Sequence, residues 1–229
     1  MSQRFLKIIV TKQAHTSLNE LVEVLRKDPV AGKHTDLIVT NMGVTSTEFN
    51  ESYFLKPLIE LDAGEKVIKA VQKSLNASLS IQNKMIKKAF SNYSGKDLLA
   101  IAKIMETRLP VVDGDDYYFQ IPINSSLANT SDQLVENLRK NPEKGTFNTE
   151  LVEFSSEGLR AVLDYEMLQP LAEMKAKFLV VKVVEWATKL WMKMNAFETK
   201  RIVSKMSSTQ LITYASLIER SLIAGSCSE

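Results

Sequence analysis

Residues 4–40 read RFLKIIVTKQAHTSLNELVEVLRKDPVAGKHTDLIVT, and residues 117–154 read YYFQIPINSSLANTSDQLVENLRKNPEKGTFNTELVEF. The triplet Leu-Val-Glu at 21–23 returns at 134–136, and Leu-Arg-Lys at 25–27 returns at 138–140, an offset of 113 positions. An internal repeat of this kind constrains the architecture more strongly than any single motif. The sequence therefore predicts a tandem duplication of a unit of about 110 residues, a common domain size. Repeat 1 would span residues 1–109 and repeat 2 residues 117–229, with residues 110–116 as a linker or a hairpin turn.

Each predicted unit begins with a short strand followed by a helix. Residues 5–11 are apolar and β-branched, which is typical of a strand, and their counterpart 118–124 carries Pro122, which favours an edge strand or a bulge. The patterns Ser17-x-x-Glu20 and Thr130-x-x-Gln133 predict capping boxes at helix N-termini. Residues 36–40 and 150–154 predict a second short strand in each unit.

The remainder of each unit is predicted to be helical. Residues 178–186, FLVVKVVEW, are rich in β-branched residues, but their counterpart 65–73, EKVIKAVQK, has a helical pattern, so both are predicted to be helices. Ser94 and Ser207 each precede a last helix as a capping residue. The predicted fold class is α+β, mostly helical, with a β-α-β-α-α-α unit packed as a pseudo-symmetric pair.

Composition narrows the class of protein. A net charge of +2 provides no strong field for nucleic acid, which makes nucleic acid an unlikely partner. The single cysteine, Cys227, excludes an intrachain disulfide framework and suits a reducing compartment. The N-terminal residues do not have the pattern of a signal peptide, and no apolar stretch is long enough to span a membrane. We therefore expect a soluble protein of the cytoplasm.

The two predicted copies differ most in their long third helix. Five polar or small residues of repeat 1 are replaced in repeat 2 by large apolar residues: Phe178, Leu179, Trp186, Trp191 and Phe197 stand at the positions of Glu65, Lys66, Lys73, Ser78 and Lys84. The helix of repeat 2 is consequently apolar on nearly every side, and such a helix is normally buried.

Three interpretations of this apolar helix remain open. It packs against the other repeat as part of a joint core; or it is a protein or subunit interface, where aromatic residues are enriched; or it lines a pocket or contacts a membrane surface. Lys182, Glu185, Lys189 and Lys193 are interleaved with the apolar residues, which weighs against insertion into a membrane but is compatible with its interface.

Motifs for catalysis or metal binding are not evident. The sequence has no HExxH, GxSxG or Walker pattern and no Cys/His ligand spacing, so we expect no metal and no cofactor, and the balance leans against an enzyme. His15 and His34 fit structural or surface roles. Glu60 and Glu173 recur in both copies, where they fit a solvated helix face better than a pair of acid/base groups. The motifs of neither copy point to a known family.

Basic pairs recur as well. Arg26, Lys27, Arg139 and Lys140 end the first helix of each copy, where cations complement the helix dipole or, at symmetric positions, grip a polyanion. The favoured function is protein binding or self-assembly through the apolar helix of repeat 2. The alternative is a carrier of an apolar small molecule or lipid in a pocket beside that helix, and the third possibility is a binder of nucleic acid or another polyanion.

Overall fold

The fold was analysed in a computed structural model, which describes residues 3–90, 93–173, 176 and 178–224. It is mostly helical, with one small antiparallel sheet of four strands, so the α+β, mostly helical prediction is confirmed. Among the described residues, no helix is long and apolar enough to cross a membrane.

The N-terminal half runs from β1 to α5. Its elements are β1 (Arg4–Val10), α1 (Lys12–Lys27), α2 (Thr35–Asn50), a π-helix (Glu51–Leu55), α3 (Lys56–Glu60), α4 (Glu65–Phe90) and α5 (Gly95–Glu106). Strand β2 (Val111–Asp113) follows α5 and leads through a tight turn at Gly114, with φ of 60°, into the C-terminal half.

The C-terminal half runs from β3 to α10. Its elements are β3 (Asp116–Ile123), α6 (Ser125–Lys140), α7 (Asn148–Leu163), a second π-helix (Asp164–Leu168), α8 (Gln169–Glu173), α9 (Phe178–Val203) and α10 (Ser208–Ser221), after which comes β4 (Leu222–Ala224). From α1 to α4, every boundary lies 113 positions before the matching boundary of α6 to α9. The two halves therefore pass through the same order of elements.

The sheet joins the two halves through their first strands. The strand order is β2-β3-β1-β4, and β1 pairs antiparallel with β3 so that Lys7 lies opposite Gln120 at the centre of the ladder. The strand that follows each half pairs with the first strand of the other half, β2 with β3 and β4 with β1. Pro122 lies beyond the part of β3 that pairs with β2, so its missing N–H is tolerated there.

The main hydrophobic core is shared between the halves. Leu6, Ile8 and Val10 of β1 and Phe119 and Ile121 of β3 belong to one buried cluster, which also includes residues of α6, α7 and α10. A second cluster, formed by α1, α2, α4 and α5, contains Leu21, Leu25 and Ile38. The shared cluster holds the two halves together in one core, since burial of apolar surface is the dominant stabilising term.

The prediction of a second strand in each unit was wrong. Residues 36–40 and 150–154 lie in helices α2 and α7, so each half reads strand, helix, helix, π-helix and three further helices. In α7, Leu151, Gly158, Leu159 and Val162 are buried at helical spacing. Burial of one helical face outweighs the weak strand preference of the β-branched residues.

The capping residues were predicted correctly for the last helices and wrongly for the first. Ser94 and Ser207 form capping boxes with Asp97 and Gln210. Ser17 and Thr130 lie inside α1 and α6, whose N-caps are Thr11 and Asn124. These caps follow the strands directly, so each helix begins six residues earlier than the capping-box pattern suggested. The predicted helix over residues 178–186 is confirmed as the start of α9.

Candidate functional site

A cavity of about 560 Å³ lies between the two halves. The N-terminal half contributes β1, the first π-helix, α3 and α4 to its lining, and the C-terminal half contributes α7, α9 and α10. Cavities of roughly 300–1,000 Å³ are typical of sites for small organic ligands. This cavity is therefore the leading candidate site among the described residues.

The lining is mainly apolar because the strands and helices that form it also build the shared core. Leu6 and Ile8 of β1 line the cavity together with Leu61 and Ile123. The first π-helix adds Tyr53 and Phe54, whose rings meet edge to face with centroids 4.9 Å apart. π-Helical turns are often found at functional sites.

Helices α4 and α9 supply the cavity with side chains of different size. From α9 come Trp191, which is half-buried, and Met194. From α4 come Val71 and the smaller Ser74 and Ser78. A bulky aromatic group from one helix and small hydroxyl groups from the other leave an open space between the halves.

A polar network interrupts the apolar lining. Asn195 Nδ2 donates to Ser155 Oγ at 3.1 Å, and Ser155 Oγ lies 3.2 Å from Thr199 Oγ1, where either hydroxyl can be the donor. The hydroxyl of Tyr53 donates to the carbonyl oxygen of Ser155 at 3.5 Å. All four side chains line the cavity. The network therefore offers donors and acceptors to the polar group of a ligand.

The tyrosines of the cavity stay neutral over the physiological pH range. Burial raises the pKa of Tyr53 far above its ordinary value of 10.0, and burial raises the pKa of Tyr214 to about 12. Gly158 makes room for Tyr53, because a Cβ at that position would lie 2.9 Å from the tyrosine hydroxyl. Both hydroxyl groups therefore keep the proton that a hydrogen-bond donor needs.

Several charged residues of the lining lie at its exposed edge, whereas Glu198 is largely buried. Arg220 of α10 forms a salt bridge with Glu60 of α3, which joins the two halves. Lys56 is exposed and donates to Ser52 Oγ at 3.4 Å. Glu198, which also lines the cavity, has Arg201 at 3.1 Å. Lys56, Glu60 and Arg220 lie where the cavity meets solvent, because an unpaired charge in the apolar interior would be costly.

The candidate apolar residues on α9 lie in different environments. Trp186 is 59% exposed and Phe197 is 67% exposed, so neither is part of the core, and neither lines the cavity. Trp191 lines the cavity. The side chains of Phe178 and Leu179 lie outside what the structure describes. The core interpretation is therefore wrong for Trp186 and Phe197.

The two Arg-Lys pairs at the ends of α1 and α6 form salt bridges with carboxylates. Arg26 pairs with Glu106 and Arg139 with Glu219, while Lys27 pairs with Glu23 at 2.8 Å and Lys140 with Glu136. The hydrogen bond from Lys27 to Glu23 raises the pKa of the lysine and lowers the pKa of the carboxyl group. Arg139 and Lys140 also line a surface depression to which three cations and three carboxylates contribute. Nothing in this arrangement concentrates positive charge for a polyanion.

Glu60 and Glu173 do not face each other as a pair. Each forms a salt bridge with an arginine of the other half, Glu60 with Arg220 and Glu173 with Arg108 at 2.8 Å. Nε2 of His15 lies 2.8 Å from the side-chain amide of Asn19, and Nε2 of His34 lies 2.7 Å from the carbonyl oxygen of Asp28. Among the described residues, no group of three or more His, Cys, Asp or Glu side chains is placed to hold a metal ion.

Sequence reasoning did not find the polar network of the cavity. Its members, Tyr53, Ser155, Asn195 and Thr199, come from three separate helices and form no motif. Tyr53 could have been noticed, because the matching position 113 residues later carries Glu166, a residue of different chemistry.

No protein family, no curated protein and no solved structure matches the chain. The function must therefore be argued from the site itself.

Proposed function

We propose that the protein binds an apolar small molecule or lipid in the cavity between its two halves. The single observation that carries the proposal is a cavity of about 560 Å³ with a mainly apolar lining. The cavity opens to solvent at one side, and an apolar recess of this size is the kind of space in which proteins bind small organic ligands.

The polar network narrows the type of ligand. A molecule with an apolar body and one hydrogen-bonding group satisfies both parts of the lining, because Asn195, Ser155, Thr199 and Tyr53 lie within it. The few placed polar groups would fix the orientation of the ligand, and the apolar walls would supply most of the affinity. We propose no chemical transformation. That the protein is not an enzyme stays a prediction.

Two measurements test the proposal. Native mass spectrometry of the freshly purified chain is expected to show additional non-covalent mass, and titration with the apolar fluorescent probe N-phenyl-1-naphthylamine is expected to give saturable binding. Ser78→Trp places a large ring in the cavity and is expected to abolish probe binding. The matched control is Ala77→Trp, because Ala77 is an exposed neighbour on α4 that does not line the cavity. Equal probe binding by both variants would contradict the proposal.

We also propose that the chain arose by tandem duplication and that its halves pack as a pseudo-symmetric pair. The equal offset of the helix boundaries and the central pairing of Lys7 with Gln120 support this origin. The salt bridges of Arg26 with Glu106 and of Arg139 with Glu219 support it further, because both partners differ by the same 113 positions.

Protein binding or assembly through the apolar helix stays a prediction, as does a location in the cytoplasm. The exposure of Trp186 and Phe197 supports a docking role for the outer face of α9. Polyanion binding by Arg26, Lys27, Arg139 and Lys140 stays a prediction with less support, because each cation already has a carboxylate partner.

A further inference from the structure

Helix α9 has two faces with different surroundings. Trp191, Met194 and Ile202 line the cavity, whereas Trp186, Leu190 and Phe197 are exposed. At 100° per residue, the three exposed side chains lie within an arc of about 40°, whereas Trp191 and Ile202 lie about 100–160° from them around the helix axis and Met194 lies in between. We call these three residues the outer stripe.

Lysines flank the outer stripe. Lys182, Lys189, Lys193 and Lys200 are exposed, and each lies within about 60° of Trp186 around the helix axis. Glu185 and Glu198, the acidic residues of α9, lie about 100° and 120° from Trp186. Lys182 pairs with Glu185 at 2.9 Å, so one of the four lysines is partly neutralised.

The other lysines keep their charge for an external partner. Within the described residues, Lys193 and Lys200 have no carboxylate within salt-bridge distance. Lys189 lies near enough to Glu185 to help lower the pKa of that carboxyl, although the hydrogen bond from Lys182 is the larger cause. The outer face of α9 therefore combines an exposed aromatic stripe with an excess of positive charge.

From this arrangement we propose that the outer face of α9 docks on an anionic membrane surface. Helices that lie in the membrane interface place Trp, Phe and Leu in the boundary between headgroups and acyl chains and carry lysines on their polar side. Lysines extend towards the headgroups while their methylene stems cover apolar surface. Anionic lipids supply the complementary charge.

The corresponding helix of the N-terminal half provides an internal comparison. Helix α4 has Lys73, Ala77 and Lys84 at the positions that match Trp186, Leu190 and Phe197. The apolar stripe is therefore a property of α9 alone among these two helices. The inference rests on the outer stripe and its lysines, and it does not depend on the cavity binding a ligand.

Sedimentation with lipid vesicles tests the docking. The wild-type chain is expected to bind phosphatidylcholine vesicles that contain about one quarter phosphatidylserine, and to bind pure phosphatidylcholine vesicles more weakly. A Trp191→Phe variant leaves Trp186 as the single tryptophan, whose emission is expected to shift to shorter wavelength on binding.

The decisive variant combines Trp186→Lys with Phe197→Lys, which restores the residues of α4. It is expected to lower vesicle affinity by about tenfold or more, because apolar contact area is lost. The same variant adds two positive charges, so an attachment by charge alone would become tighter instead. Both side chains are more than half exposed, and an unchanged thermal unfolding curve would show that the fold is intact.

A second variant tests the charge. The combination of Lys193→Glu and Lys200→Glu keeps the aromatic residues and is expected to weaken binding to the anionic vesicles by about fivefold for each lysine. No binding of the wild-type chain to either kind of vesicle would overturn the proposal. A wild-type dimer in solution that the Trp186→Lys/Phe197→Lys variant converts to a monomer, with no vesicle binding, would overturn it in favour of a second copy of the chain.

Discussion

Ser78 of α4 and Trp191 of α9 line the same cavity, although they are 113 positions apart and occupy matching places in the two halves. One position carries a hydroxymethyl group and the other an indole ring. If both positions held tryptophan, the second ring would occupy space that is now open. The unequal pair therefore helps to set the size of the cavity.

This relationship predicts a rescue by exchange. Ser78→Trp alone is expected to block N-phenyl-1-naphthylamine, and the double variant Ser78→Trp/Trp191→Ser is expected to recover at least part of the binding, because exchanges that conserve volume are tolerated best. Probe titration of the wild type and the two variants measures the effect. If the double variant bound no better than Ser78→Trp, the two positions would not share one space.

The polar network predicts that Ser155→Ala lowers the free energy of unfolding by a measurable amount. Asn195 is 8% exposed, and its amide would lose the hydroxyl to which it donates. Leaving a buried polar group without a partner costs about 1–3 kcal/mol of the free energy of unfolding. Urea denaturation checks this value, with Ser204→Ala as the control on an exposed serine near the end of α9. A loss no larger than that of the control would show that water replaces the serine hydroxyl.

The sequence predicted the fold class because its strongest signals were local and appeared twice. The ambiguous residues 178–186 were placed correctly as helix, since their counterpart 65–73 has a clear helical pattern. Residues 36–40 were placed wrongly, because the β-branched run from Ile38 to Thr40 suggests a strand in isolation. The deciding fact is that Ile38 is buried in the cluster formed with α1, α4 and α5, and such packing does not show in a local pattern.

The site was harder to predict than the fold. The difference between α4 and α9 drew attention to Trp186, Trp191 and Phe197, yet a helical projection gave no means of telling which side of α9 would face the cavity. Trp191 lines it and the other two do not. The network of Tyr53, Ser155 and Asn195 depends on contacts between helices that are distant in sequence, so its members were not recognised.

The salt bridges between the halves predict unequal effects of two arginine substitutions. The side chain of Arg108 is 9% exposed, and it pairs with Glu173, donates to the carbonyl oxygen of Tyr165 and lies 4.5 Å from the centre of the Tyr165 ring. Arg108→Ala is expected to cost about 2–3 kcal/mol of the free energy of unfolding, because a largely buried guanidinium loses its contacts with Tyr165 and Glu173. Arg220→Ala is expected to cost less than about 1 kcal/mol, since the side chain of Arg220 is 62% exposed. Equal losses in urea denaturation would contradict this ranking.

Exposure also predicts the effect of Trp186→Lys on folding. Because the side chain of Trp186 is 59% exposed, the new charge remains in water and the free energy of unfolding is expected to change by less than about 0.5 kcal/mol. The control is Leu151→Lys, which places a charge at a fully buried position and is expected to prevent folding. Thermal unfolding followed by circular dichroism distinguishes the two. Unfolding of the Trp186→Lys variant would show that the outer stripe is packed against other residues.

A buried carboxyl group predicts how stability depends on pH. Burial raises the pKa of Glu166 from an ordinary value of 4.5 to about 7, and the Arg108 guanidinium partly offsets the rise. Oε1 of Glu166 is inaccessible to solvent and has no hydrogen-bond partner among the described residues. Between these two pKa values the folded state binds more protons than the unfolded state, so the free energy of unfolding falls as the pH rises.

The Glu166→Gln variant removes this dependence while keeping nearly the same shape. It is expected to be more stable than the wild type above pH 7, by on the order of 1–3 kcal/mol, and to differ little near pH 4.5. Carboxyl groups whose pKa is lowered by a salt bridge, such as Glu136, titrate at lower pH. They are present in both proteins and do not contribute to the difference. Urea denaturation at pH values on either side of this window measures the difference. Parallel curves for the two proteins would show that Glu166 is solvated in the folded chain and that its proton does not contribute to stability.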